Sequence, residues 1–161
     1  MSSVDILLNN LKRHYAVNST RALASKLNLS ESVVLNWSSK RSSPSIKQIN
    51  EIAYILGVDV AQLLIPNNIF NIYTPIWKDD IEKIVINNLG KLKLEQEIYE
   101  EDFYVKASGV CTMGYRTFLR YINGKNKTIN LDKLDNLAKI LSVDTYQLLE
   151  RVNKNEKKDK N

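Results

Sequence analysis

Two stretches of this chain are close copies of each other. Ala53–Leu64 reads Ala-Tyr-Ile-Leu-Gly-Val-Asp-Val-Ala-Gln-Leu-Leu, and Ala138–Leu149 reads Ala-Lys-Ile-Leu-Ser-Val-Asp-Thr-Tyr-Gln-Leu-Leu. Eight of these twelve positions are identical at an offset of 85 residues, far more than chance allows. A repeat of this kind limits the fold more than any local signal does. Upstream, Ile46, Ile49 and Ile52 match Leu131, Leu134 and Leu137 at the same offset. That spacing of three is one face of a helix. Ser45 and Asn130 stand just before the two runs and read as N-caps. Further upstream the offset becomes 84: Leu27-Asn28-Leu29-Ser30 matches Cys111-Thr112-Met113-Gly114, Leu23-Ala24 matches Ala107-Ser108, and Val34 and Trp37 match Phe118 and Tyr121. The one-residue change falls in the polar loops Lys40–Pro44 and Asn123–Thr128, where a change of length is tolerated.

The chain is therefore two copies of one unit. No strand alternation of useful length appears, so the predicted class is all-α. The first copy reads as five short helices at roughly 4–14, 19–27, 31–38, 46–56 and 60–64. The second reads as roughly 77–98, 103–110, 115–122, 131–141 and 145–150, with a first helix and following loop longer by roughly six to nine residues. The expected organisation is a first domain at 1–65, a linker at 66–75, a second domain at 76–150 and a disordered charged tail at 151–161. The linker holds two prolines, Pro66 and Pro75, and several Asn. The tail from Lys154 has almost no apolar residue to bury.

Composition narrows the chemistry. In 161 residues there is one Cys (Cys111) and one His (His14). An intramolecular disulfide is impossible, and a metal site would need mostly carboxylates. The usual catalytic sets cannot be assembled, and no Gly-rich phosphate loop is present, so no enzyme and no cofactor is expected. No apolar run approaches the ~18 residues of a membrane span, and the start Met-Ser-Ser-Val-Asp lacks signal-peptide character. A soluble cytoplasmic protein is expected. The net charge of +5 is uneven: residues 1–65 carry +3, residues 76–150 carry −1, and residues 151–161 carry +3. The first part and the tail would attract a polyanion, and the middle on average would not.

The segment Ser19–Arg41 reads Ser-Thr-Arg-Ala-Leu-Ala-Ser-Lys-Leu-Asn-Leu-Ser-Glu-Ser-Val-Val-Leu-Asn-Trp-Ser-Ser-Lys-Arg. A helix ends near Leu27, a turn follows, and Ser30 caps the next helix. Small Ala24, capping Ser30 and buried Val34 are spaced as two closely crossing helices require. This segment resembles the helix-turn-helix of the lambda-repressor-like (Cro/CI, or XRE) family, most closely the phage CI repressor type, over residues 4–65. Asn28 stands at the usual turn glycine and can also take the left-handed conformation. The second copy resembles the same family over 103–149, where Tyr115–Lys125 looks like a recognition helix with the family's Asn-Gly-Lys ending. Ser108 takes the small position and Gly114 the cap. Upstream, Glu95, Glu97, Glu100, Glu101 and Asp102 gather where the family's second helix approaches a phosphate, and would repel one.

The resemblance implies two tandem five-helix, helix-turn-helix domains that bind duplex DNA. The third helix of the first copy would lie in the major groove, with Glu31, Ser32, Val33 and Asn36 at the base edges. Asn36 suits adenine, Glu31 the cytosine amino group and Val33 a thymine methyl. Thr20 would meet a phosphate or base, and Ser39, Lys40 and Arg41 would hold phosphates. In the second copy Tyr115, Arg116, Thr117 and Arg120 would face DNA, Arg116 as a reader of guanine, with Lys125 and Lys127 on phosphates. Trp37 and Cys111 read as core, and His14 as a residue near the end of the first helix. The expected function is a sequence-specific transcriptional regulator, a repressor of phage or mobile-element type. The alternative is a protein-interaction module, such as an antitoxin or antagonist, whose second copy offers the acidic stretch with Tyr99, Phe103 and Tyr104 to a protein partner. The expected partners are accordingly duplex DNA and, at the second domain, a protein. Either a homodimer or two heads on one chain would supply the second half-site about one helical turn away, and the homodimer is the expectation.

Overall fold

The computed structural model describes residues 1–70, 80–125 and 128–151. Among these residues the chain is helical, with one isolated bridge in place of any strand. The first unit consists of α1 (Ser3–Tyr15), α2 (Thr20–Leu27), α3 (Glu31–Ser38), α4 (Ile46–Leu56) and a 3₁₀ segment (Val60–Leu64). The second consists of α5 (Ile81–Glu95), α6 (Glu100–Val110), α7 (Tyr115–Ile122), α8 (Leu131–Ile140) and a 3₁₀ segment (Thr145–Leu149).

Helices α3, α4 and α7 have the bounds that the sequence predicts. Other elements differ for identifiable reasons. The closing element of each unit is 3₁₀ rather than α, tied by i→i+3 bonds from Gln62 N to Asp59 O and from Gln147 N to Asp144 O, 3.0 Å each. Helix α5 begins at Ile81, where the Asp80 carboxylate accepts from Glu82 N at 3.1 Å and caps it, and residues 77–79 of the predicted helix lie outside the described residues. It stops at Glu95, not 98, and Glu97 turns left-handed at φ 54°. Helix α6 begins at Glu100, not 103, so three carboxylates sit in its first turn, which the positive end of the helix dipole favours. Residues 71–75 of the expected linker and 152–161 of the expected tail lie outside the described residues.

The backbone repeats with the sequence. Left-handed residues recur as Asn28 and Thr112, Lys40 and Gly124, and Gly57 and Ser142. The turn bond from Leu29 N to Ala24 O (2.9 Å) has its counterpart from Met113 N to Ser108 O (3.0 Å). Asn10 donates to the Leu63 and Ile65 carbonyls at 3.0 and 2.9 Å, and Asn88 donates to those of Leu148 and Glu150 at 2.9 Å each. Asn10 and Asn88 differ by 78 positions, whereas α2 and α6 match at 84, so six extra residues lie between them in the second unit. The core follows the predicted face: Leu7, Leu11, Leu23, Val34, Trp37, Ile46 and Ile49 in one unit, and Val85, Leu89, Ala107, Phe118, Tyr121, Leu131 and Leu134 in the other. Cys111 is buried among them, and burial pushes its thiol up to about 11, far from a reactive thiolate.

The two units pack on each other. The main contacts are α1 on α8, α4 on α5, and one 3₁₀ segment on the other. Ser45 and Asn130 form an antiparallel bridge, in which Ile46 N donates to Ile129 O at 3.0 Å and Leu131 N donates to Pro44 O at 2.9 Å. Beside it, Asp132 N donates to Ser43 Oγ at 3.0 Å and Lys47 N donates to Thr128 Oγ1 at 3.3 Å. Ser45 caps α4 as predicted, by accepting from Gln48 N. Asn130 occupies the predicted cap position of α8 but makes no side-chain cap bond, and Ser43 of the other unit satisfies that helix end instead. Asp135 of α8 accepts from Ser3 of α1, and Arg151 pairs with Asp59 across the same junction.

Candidate nucleic-acid interface

The α2–α3 pair is set by its buried side. Leu23, Ala24, Val34 and Trp37 are buried between the helices, and Asn28 turns the chain left-handed after α2. Ser30 then caps α3, accepting from Val33 N at 3.4 Å. This leaves Glu31 and Ser32 exposed at the start of α3 and Asn36 half-buried one turn on. Val33, expected among the exposed residues, is half-buried against the core. A thymine methyl would find it only partly accessible. The more accessible apolar side chain is Leu35, 50% exposed, which the sequence reading passed over because it lies outside the core spacing.

Charge is arranged differently from the sequence expectation. Thr20 is half-buried at the start of α2, where Ser19 accepts from Ala22 N at 3.1 Å. The next residue, Arg21, lies 3.9 Å from Glu31, so a cation accompanies the only acidic residue of α3. Its position directly after Thr20 was the signal available. Ser39 Oγ donates to Asn36 O at 3.4 Å. Lys40 bonds to Asp5 Oδ1 and Ser2 Oγ, 2.6 Å each, and so ties the loop after α3 to the start of α1. The ammonium beside it holds the Asp5 carboxyl below its ordinary value. Lys40 is thus partnered by a carboxylate within the protein. Arg41 is exposed, with its amide anchored on Asn36 O at 2.9 Å.

The second unit presents the same backbone with other side chains. Tyr115, Arg116, Thr117 and Arg120 are exposed on α7. Gly114 precedes it without a side-chain cap bond. Lys125 is exposed and anchored on Arg120 O at 2.8 Å, as Arg41 is on Asn36. Lys127 lies outside the described residues. The acidic stretch is partly compensated. Glu95 lies 3.9 Å from Lys91. Glu100 accepts from Tyr104 OH at 2.7 Å and Lys93 Nζ at 3.1 Å, and these contacts hold its carboxyl below the usual range. Burial and the adjacent Glu100 push the Tyr104 phenol up to about 12. Phe103, expected on an aromatic surface, is buried, whereas Tyr99 is 71% exposed. Tyr99, Glu101, Tyr104, Tyr115 and Leu119 line an open hollow between α6 and α7.

Among the described residues no three His, Cys, Asp or Glu side chains gather as metal ligands, and no helix is long and apolar enough to cross a membrane. Residues 7–68 match the family model of the bacteriophage CI repressor helix-turn-helix domain. The matched span holds most of α1, the α2–α3 pair, α4 and the first 3₁₀ segment. No curated protein and no solved structure matches the chain.

Proposed function

We propose that this chain is a sequence-specific, double-stranded-DNA-binding transcriptional regulator, a repressor of phage or mobile-element type that acts in the cytoplasm. The observation that carries this reading is the α2–α3 pair inside the matched span, whose outward edge carries Glu31, Ser32, Asn36 and Arg41. In this reading α3 enters the major groove, Asn36 reads adenine, and Arg21, Ser39 and Arg41 meet the backbone. Glu31 is divided between a cytosine amino group and Arg21. Residues 81–149 are a second helix-turn-helix domain with α7 as its reading helix, Arg116 and Arg120 suit guanine, and Lys125 suits a phosphate. The supporting features are the recurring left-handed residues and turn bonds.

A second reading makes the chain a protein-interaction module, an antitoxin or antagonist, whose second unit binds a protein partner. The exposed Tyr99 and Val105, beside Glu101 and Asp102, favour it. One experiment separates the two. The full chain is offered a random duplex pool at near-physiological salt, and bound duplexes are sequenced. An enriched motif whose binding weakens steeply with salt is the expected result. No enrichment by protein shown to be folded overturns the DNA reading and leaves the protein-partner one.

A further inference from the structure

The contacts between the two units are reciprocal. Ile46 N meets Ile129 O while Leu131 N meets Pro44 O, and each of these residues is the other's counterpart at the offset of 85. Lys47 N meets Thr128 Oγ1 while Asp132 N meets Ser43 Oγ, again counterparts at 85. Helix α1 packs on α8, and its counterpart α5 packs on α4. The two 3₁₀ segments pack on each other. In an assembly of identical subunits this pattern, in which i touches j and j touches i, marks a two-fold axis. Here the axis passes between Ser45 and Asn130 of a single chain. The surface through which such a unit would pair with a second copy of itself is filled by its own second half. Helices α2, α3, α6 and α7 take no part in the main packing between units, so both outward edges stay open.

We infer that one chain is the complete duplex-reading unit and that its target is one duplex with two unlike half-sites in a fixed order. The inference rests on the DNA-binding reading. A dyad-related pair of reading helices matches two half-sites, and in a dimer of identical chains those half-sites are alike. This pair is not alike. Glu31, Ser32 and Asn36 on α3 correspond to Tyr115, Arg116 and Arg120 on α7. Two arginines call for guanine in one half-site, and an asparagine calls for adenine in the other. The backbone symmetry is thus kept while the side chains remove the palindrome. Two heads on one chain, the alternative to the homodimer in the sequence expectation, follow from the filled seam.

The test uses the full chain, its preferred duplex from the random pool, and two variants at exposed or half-exposed positions. Native mass spectrometry of the complex should give one chain per duplex. Asn36→Ala should weaken binding about tenfold or more and erase the base preference in one half of the motif only. Arg116→Ala combined with Arg120→Ala should do the same in the other half. Two chains on two identical half-sites overturn the inference, as does Asn36→Ala altering both halves alike. An unchanged motif with the double arginine variant overturns it too. In all three cases the DNA-binding reading survives. Failure to enrich any duplex removes that reading and this inference together.

Discussion

Helices α3 and α7 occupy equivalent places in units that share their turns and buried faces, yet they present different chemistry. The first is a short helix with polar Ser32 and Asn36, one carboxylate partnered by Arg21, and Arg41 just beyond it. The second carries Arg116 and Arg120, opposite an α6 whose extra first turn holds Glu100, Glu101 and Asp102. The difference teaches which positions are constrained. Packing and backbone hydrogen bonds tolerate few side chains at Ala24, Val34 or Trp37, since these interiors are close-packed. The outward edges are more exposed than these interiors, so the two units are freer to diverge there.

The hardest test of this comparison is the core. Trp37→Ala in one unit and Phe118→Ala in the other should each destabilise the chain by about 3–5 kcal/mol. Because the units share a seam, urea unfolding followed by circular dichroism should show one transition shifted by either change. Two separate transitions, only one of them shifted, would mean that the units fold independently. The seam itself should respond less. Ser43→Ala removes the acceptor at Asp132 N and should cost about 1 kcal/mol. Thr128→Val should cost more than Ser43→Ala, because Thr128 also donates to Glu82. Equal losses would show that the Glu82 bond adds nothing.

A smaller effect distinguishes the loops after α3 and α7. Asp5→Asn frees Lys40, whereas the second unit has Gly124 at that position and no such pair to release. Stability should fall by no more than about 1 kcal/mol, as for an exposed pair. The slope of log affinity against log salt should steepen by about one unit. An unaltered slope would place Lys40 away from the duplex.

The smallest effects are on pH dependence, and they run in opposite directions in the two units. The Asp5 carboxyl lies below its ordinary value because Lys40 stabilises its charge. Its contribution is present above the unfolded pKa of about 4 and is lost as pH falls through the lowered value. The Glu82 carboxyl is raised by burial, against the hydrogen bonds from Thr128 and Tyr121. Its contribution is present in acid, below the unfolded pKa, and is lost as pH rises through the raised value. Melting temperature followed against pH should therefore fall less steeply in acid for Asp5→Asn than for the parent. It should fall less between about pH 4 and neutrality for Glu82→Gln. Parallel curves for all three proteins would remove both assignments.

The repeat, the helical periods and the core were legible because they are written as spacing. Ile46, Ile49 and Ile52 announce a buried face, and Asn28 its turn. The bounds of α5 and α6 were not, because Asp80 and Glu100–Asp102 look alike as polar sequence whether they cap, begin or precede a helix. The exposed edge of α3 was legible, but the pairing of the charges around it was not. Lys40 meets Asp5 from 35 positions away, and no local pattern predicts that pair. The seam was invisible for a similar reason. Ser43 and Thr128 are ordinary loop hydroxyls until the fold brings each to a helix end of the other unit.

The position of that seam within one polypeptide bears on how the molecule behaves when it is scarce. Subunits held only by noncovalent contacts part on dilution, and a regulator that must first pair acts with the square of its concentration at low dose. The contacts of Ser43 with Asp132 and of Thr128 with Lys47 cannot part in this way, since one chain carries both sides and their effective concentration is fixed by covalent connection. A target read by one such molecule fills in simple proportion to the amount present, without a threshold. The response to gene dosage would be graded, and only a partner or a second target site could make it steep.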